Sequence, residues 1–244
     1  MRVCVIGNSH VAAVKAGCSD ARFDRAWSLD FFAVPAGSIH VEGDRLVGSG
    51  PRQVLRTTPS DALELGPFDA VLVSAVGNWA FRNENWRHIL FHLGICGWGG
   101  NLQQVSHAVF RKALRQVLAD TQVVRLCRDL PSIYAGQLYF QPWPLPSEGV
   151  LEDSAWRMNE IYGEGAAAVV ARYHSLQYEL LQELLGGAGT LLPYPEAAWL
   201  ERGVTPRGLV SEDPWHMNDR YGAAVLAQLQ DALAAARARP QVPS

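Results

Sequence analysis

The chain has 244 residues, enough for one large α/β domain whose core needs no staples, and its 48% hydrophobic and 18% charged residues argue against disorder. The formal net charge is −3, with 21 basic and 24 acidic residues spread along the sequence and no block of like charge, so nucleic acid is not an expected partner. No apolar stretch reaches the roughly 18 residues of a membrane span, so no membrane partner is expected either.

Val3 to Ile6 is a short, β-branched apolar run stopped by Gly7-Asn8, which suits a strand buried on both faces. It is too short for a signal-peptide core. Val11 to Gly17 reads as a helix. Leu29 to Val34 is a second strand, ended by Pro35-Ala36-Gly37, and Ile39 to Val47 is a hairpin turning at Glu42-Gly43-Asp44. Phe68 to Val76 is a third buried strand, ended by Gly77-Asn78. Asn101 to Ala119 has helical spacing, and Val123 to Cys127 reads as a fourth strand. Tyr139 to Gly149, with Pro142, Pro144 and Pro146, reads as a loop. Glu152 to Leu185 is mostly helical, Thr190 to Leu192 is a fifth strand, and Asp213 to Asn218 is a polar loop before a closing amphipathic helix from Arg220 to Arg239.

Buried strands alternating with helices predict a mostly parallel sheet covered on both faces. The whole of residues 1–244 is read as one domain, with insertions over the active face at 79–100 and 131–149. The four cysteines, Cys4, Cys18, Cys96 and Cys127, lie far apart with no C-x-x-C pair and read as buried reduced thiols. A cytoplasmic protein is expected.

Ligands of open α/β sheets bind beyond the carboxyl ends of the strands. Ser9 follows strand one, Gly37 strand two and Asn78 strand three. Ser9 also stands at a helix start, where free N–H groups favour negative charge. A serine hydroxyl needs a base. Of seven histidines, His216 is the best candidate, because Asp213 three residues earlier can orient its Nδ1–H from the same short loop.

Gly7-Asn8-Ser9 after the first strand resembles the first block of the SGNH (GDSL-like) hydrolases, normally Gly-Asp-Ser. Asp213-Pro214-Trp215-His216 resembles their last block, Asp-x-x-His, and falls near the C-terminus as it does there. Gly37 and Gly77-Asn78 resemble the two blocks between, although glycine and asparagine are adjacent here where the family has one residue separating them. The resemblance implies a flavodoxin-like three-layer αβα sandwich and ester hydrolysis through an acyl-enzyme. Ser9, Asp213 and His216 would form the triad, and Ser9, Gly37 and Asn78 would be oxyanion donors.

Other readings stand beside these. Ser9 and Asp213 can each be a helix cap, His216 a surface residue and Asn78 a turn residue. An O-acyltransferase would use the same triad, and a non-catalytic flavodoxin-like binding module would use none of it. His88 and His92 share a helical face but lack the glutamate of the metalloprotease pattern, so no metal site is assigned. Only one glycine of the dinucleotide fingerprint is present, so no cofactor is expected. His10, beside Ser9 at a helix start, is read as pointing away from it. Trp79, Trp98, Trp143 and Trp215 fall on segments near the active face. Trp79, Trp143 and Trp215 are assigned to substrate, an acylated carbohydrate or other small polar ester, the other reading being that these rings pack the loops onto the sheet. The oligomeric state is not legible.

Overall fold

The computed structural model of the protein describes residues 1–19, 26–34, 38–50, 60–77, 106–149, 166–196, 203–213 and 216–238. Five strands form the main sheet: β1 (Arg2–Gly7), β2 (Ser28–Ala33), β6 (Ala70–Val76), β7 (Gln137–Pro142) and β8 (Thr190–Leu191). They run parallel throughout, in the order β2-β1-β6-β7-β8. Counting these five alone, the order is 2-1-3-4-5, the flavodoxin-like winding. The chain changes direction across the sheet between β1 and β6, and the carboxyl ends at such a switch point are where ligands of open α/β sheets bind.

The layers follow from alternation along the strands. Val3 and Val5 of β1 and Ala70 and Leu72 of β6 face one side. There they meet α1 (Val11–Gly17) and α5 (Asp219–Ala238) through Val11, Val14, Tyr221, Val225 and Leu226. Cys4, Ile6, Val71 and Val73 face the other side. That side is covered by α3 (Gln122–Asp129) and α4 (Ala166–Leu185), with Leu126, Cys127, Leu181 and Leu185 against the sheet. Helix α2 (His107–Asp120) packs outside α4. Helices α1 and α5 approach so closely that a Cβ on Gly222 would run into the Ala13 carbonyl, so only glycine fits at that crossing. Among the described residues, no helix is long and apolar enough to cross a membrane.

The expected hairpin is present: β3 (Ser38–Glu42) pairs antiparallel with β4 (Arg45–Ser49), turning at Gly43, which takes φ 64°. A third strand, β5 (Ala62–Glu64), completes a small separate sheet that the sequence reading did not contain.

Two expectations are corrected. Val123 to Cys127 is helix, not strand: the Thr121 side chain accepts from Val124 N–H and caps α3. Val124, Cys127 and Leu130 are then buried at helical spacing, with Arg125 and Arg128 on the exposed side. The fourth sheet strand is instead β7, which overlaps the start of the segment read as a proline loop, Tyr139 to Gly149, and lies within 131–149. Pro142 is tolerated because it ends the strand, and the next N–H, of Trp143, takes the ladder bond to Val76 O at 2.8 Å. The other expected insertion, 79–100, lies outside the described residues, as do His88, His92 and Cys96.

Candidate active site

The first strand ends at Gly7, with φ 155°. A Cβ there would stand 2.8 Å from the carbonyl oxygen of Ser74 on β6. Glycine lets the two strand ends close up, and the chain then turns through Asn8-Ser9-His10 into α1. The turn is tied by Asn8, whose Oδ1 accepts from His10 N–H at 3.0 Å and whose carbonyl accepts from Val11 N–H at 3.1 Å.

Ser9 is not the helix cap. His10 occupies the cap position, and the Ser9 hydroxyl lies 3.1 Å from His216 Nε2, across 207 residues of chain. His216 Nδ1 lies 2.8 Å and 3.0 Å from the two carboxylate oxygens of Asp213. The His216 backbone N–H also donates to Asp213 Oδ1, at 2.8 Å, which fixes the carboxylate against the imidazole. A carboxylate accepts only, so it holds the imidazole proton on Nδ1 and leaves the Nε2 lone pair to accept from the Ser9 hydroxyl. The His216 and Asp213 side chains remain about half exposed, 46% and 50%, so the imidazole is open to small molecules.

The loop carrying Asp213 and His216 is held by its neighbours. Ser211 N–H donates to His216 O, and Val210 bridges Met217 in antiparallel fashion. Asn218 uses its whole carboxamide. Its Nδ2 donates to Gly208 O and Val210 O at 3.0 and 3.2 Å, while its Oδ1 accepts from Arg220 and Tyr221 N–H at 3.0 and 3.2 Å. One side chain thus caps α5 and ties the loop that ends at His216 to the segment before it. Asn218 is not among the residues expected to matter from sequence, although an asparagine immediately before a helical run is a cap signal.

A second tie lies beneath the site. Between Val73 and Val76 the β6–β7 register shifts, and Ala75 takes φ 59°, in the left-handed region. The bulge brings Val76 onto the face of Val71 and Val73. It also leaves the buried Ser74 hydroxyl to donate to Gln141 Oε1 at 2.8 Å. Gln141 Nε2 donates in turn to Tyr221 OH at 3.2 Å. The chain of bonds joins β6, β7 and the helix that follows the His216 loop.

His10 corrects an expectation. Its ring is turned inward toward His216: the residue is 5% exposed, with its ring centroid 5.7 Å from that of His216 and 4.9 Å, edge to face, from that of Trp143. Burial, helped by the neighbouring His216, pulls its pKa from 6.5 down to about 3, so the ring is neutral. Trp143 is half-buried beside it. Gly37, Asn78, Trp79, Trp98 and Trp215 lie outside the described residues. Among the described residues no group of three or more His, Cys, Asp or Glu is placed to hold a metal ion.

No protein-family model matches the chain, and no curated protein matches it. Among solved structures, the chain is similar to one from Streptococcus pneumonia described as a "putative platelet activating factor". The two are 12% identical with a TM-score of 0.46, over 95% of this chain and 83% of that one. It is similar in the same degree to a GDSL-like lipase from Bacteroides thetaiotaomicron VPI-5482, at 12% identity and a TM-score of 0.46, over 96% of this chain and 88% of that one.

Proposed function

We propose that this protein is a serine ester hydrolase in which Ser9 is the nucleophile, His216 the general base and Asp213 its orienting carboxylate. The observation that carries the reading is the contact between Ser9 Oγ and His216 Nε2 at 3.1 Å, with Asp213 on the far side of the ring. An unactivated serine is a weak nucleophile, and this is the arrangement that activates one.

Ser9 Oγ attacks the acyl carbonyl while its proton passes to Nε2. The negative charge that develops on the carbonyl oxygen is met by N–H groups, for which Ser9 N–H, Gly37 N–H and the Asn78 side chain are the assigned donors. The imidazolium, steadied by Asp213, returns the proton to the leaving alkoxide, and an alcohol departs. Water, deprotonated by His216, then attacks the acyl-Ser9 carbonyl. The carboxylic acid is released and Ser9 regains its proton.

The proposed substrate is an acylated carbohydrate or similar small polar ester. Trp143, half-buried against His10, is a flat apolar ring of the kind that covers a sugar. Trp79 and Trp215 are assigned the same role. The test is turnover of an aryl acetate and of acetylated sugars, set against acyl esters of increasing chain length. Ser9→Ala is expected to abolish all turnover while leaving the fold intact. Wild-type turnover by Ser9→Ala would overturn the mechanism. A steep rise in kcat/KM with chain length, with no acetylated sugar cleaved, would overturn the substrate assignment.

A further inference from the structure

His10 is a titratable group that the mechanism above does not use, yet it is buried within the site. The residue is 5% exposed, and its Nδ1 has no hydrogen-bond partner among the described residues. Buried polar atoms are ordinarily paired, and one left alone costs stability. No bond of Nδ1 orients this ring, so what it contributes at that nitrogen's expense must come from its shape and contacts. Those contacts are specific: one with Trp143, on the segment after β7, and one with the imidazole of His216.

We propose that His10 is a positioning residue for the base, a flat neutral ring wedged between Trp143 and His216 that sets the tilt from which Nε2 reaches Ser9. This rests on the reading of Ser9 and His216 as nucleophile and base.

The wedge has a physical reason. Asp213 fixes one edge of the His216 ring, at Nδ1, but a ring held at one edge can still swing about that edge. With His216 46% exposed, solvent does not stop the swing. The His10 ring, at 5.7 Å and inclined by 42°, provides a wall. Its own place is fixed from two sides: its backbone N–H is held by Asn8 Oδ1, and Trp143 meets it edge to face at 75°. The burial that holds His10 neutral matters too, because a second cation here would oppose the charge His216 acquires during reaction. The wedge and the nucleophile are adjacent residues of one turn, so the turn that places Ser9 also places the wall for its base.

The experiment compares His10→Ala, His10→Leu and His10→Phe in the full chain, by steady-state turnover of an aryl acetate and by the downfield proton resonance of the His216 Nδ1–H in the absence of substrate. Alanine removes the wall, leucine fills the space without a flat ring, and phenylalanine keeps the ring and drops the nitrogens. Alanine and leucine are expected to lower kcat by about 10-fold or more at unchanged KM, the size expected from a small misplacement of a reacting group. Both are expected to shift or broaden the His216 resonance. Phenylalanine should restore kcat and the resonance to near wild type. Should His10→Ala fail to fold, the leucine–phenylalanine comparison decides alone.

Four results would overturn the proposal: wild-type kcat and resonance in folded His10→Ala; wild-type kcat and resonance in His10→Leu; equal damage in His10→Phe and His10→Leu; or a change confined to KM. Failure of the esterase reading itself looks different: the wild-type protein then turns over no ester, while the resonance still reports on whether His10 holds His216.

Discussion

Asn218 separates two jobs that one substitution can divide. Aspartate at this position keeps an oxygen for Arg220 and Tyr221 N–H, and so keeps the cap of α5. It loses the two bonds that Nδ2 gives to Gly208 O and Val210 O, and it turns a carboxylate oxygen toward both carbonyls. Each lost neutral bond is worth about 1 kcal/mol. The side chain is only half-buried, so solvent relieves part of the repulsion, and Asn218→Asp is expected to cost about 2 kcal/mol in all. Asn218→Ala loses the cap as well, about 1 kcal/mol more. The larger effect falls on chemistry, because His216 lies two residues away and Asn218 N–H itself bonds Leu209 O. A reacting group displaced by about 1 Å loses on the order of 10²-fold in rate, so Asn218→Asp is expected to lower kcat by roughly that factor. Urea unfolding gives the stability and aryl-acetate turnover gives kcat. A folded Asn218→Asp protein with wild-type kcat would show that the tether does not position the base.

His10 and His174 are both buried and both pulled by that burial from 6.5 to about 3. Between those values the unfolded chain binds protons that the native state does not. Stability should therefore rise with pH from about 3 to 6.5, by up to about 1.4 kcal/mol per pH unit for each imidazole, and level off above. Urea midpoints from pH 4 to 8 check this, and His10→Phe should remove about half of the slope contributed by the two. Tyr221→Phe leaves Gln141 Nε2 without its acceptor in a buried site and should cost about 1–3 kcal/mol in the same assay. Its kcat should fall by less than that of Asn218→Asp, because the Ser74–Gln141–Tyr221 chain supports the sheet end from below and touches no triad member.

What could be read from sequence was what local chemistry decides. The β-branched run Val3 to Ile6 read as a buried strand and is β1, Gly43 marked the turn between β3 and β4, and the two polar junctions at Ser9 and at Asp213 to His216 are the ones that the fold brings to hydrogen-bond distance. What escaped depends on partners far along the chain. A five-residue apolar run at Val123 to Cys127 suits strand or helix equally; the Thr121 cap and the spacing of Arg125 and Arg128 were the signal for helix. Strand β7 was hidden because Gln141 looks like a surface residue until Ser74 and Tyr221 satisfy its amide, 67 and 80 residues away. The bend at Ala75 and the inward ring of His10 leave no local trace, since both answer to packing between elements.

The central claim, that His216 activates Ser9, is tested most directly by the rate and site of covalent labelling with a fluorophosphonate, mapped by peptide mass. The account predicts a single adduct on Ser9 in the wild-type protein, none at that peptide in Ser9→Ala, and labelling slowed by about 10²-fold or more in His216→Ala. An unlabelled Ser9, or one labelled equally fast without His216, would contradict it.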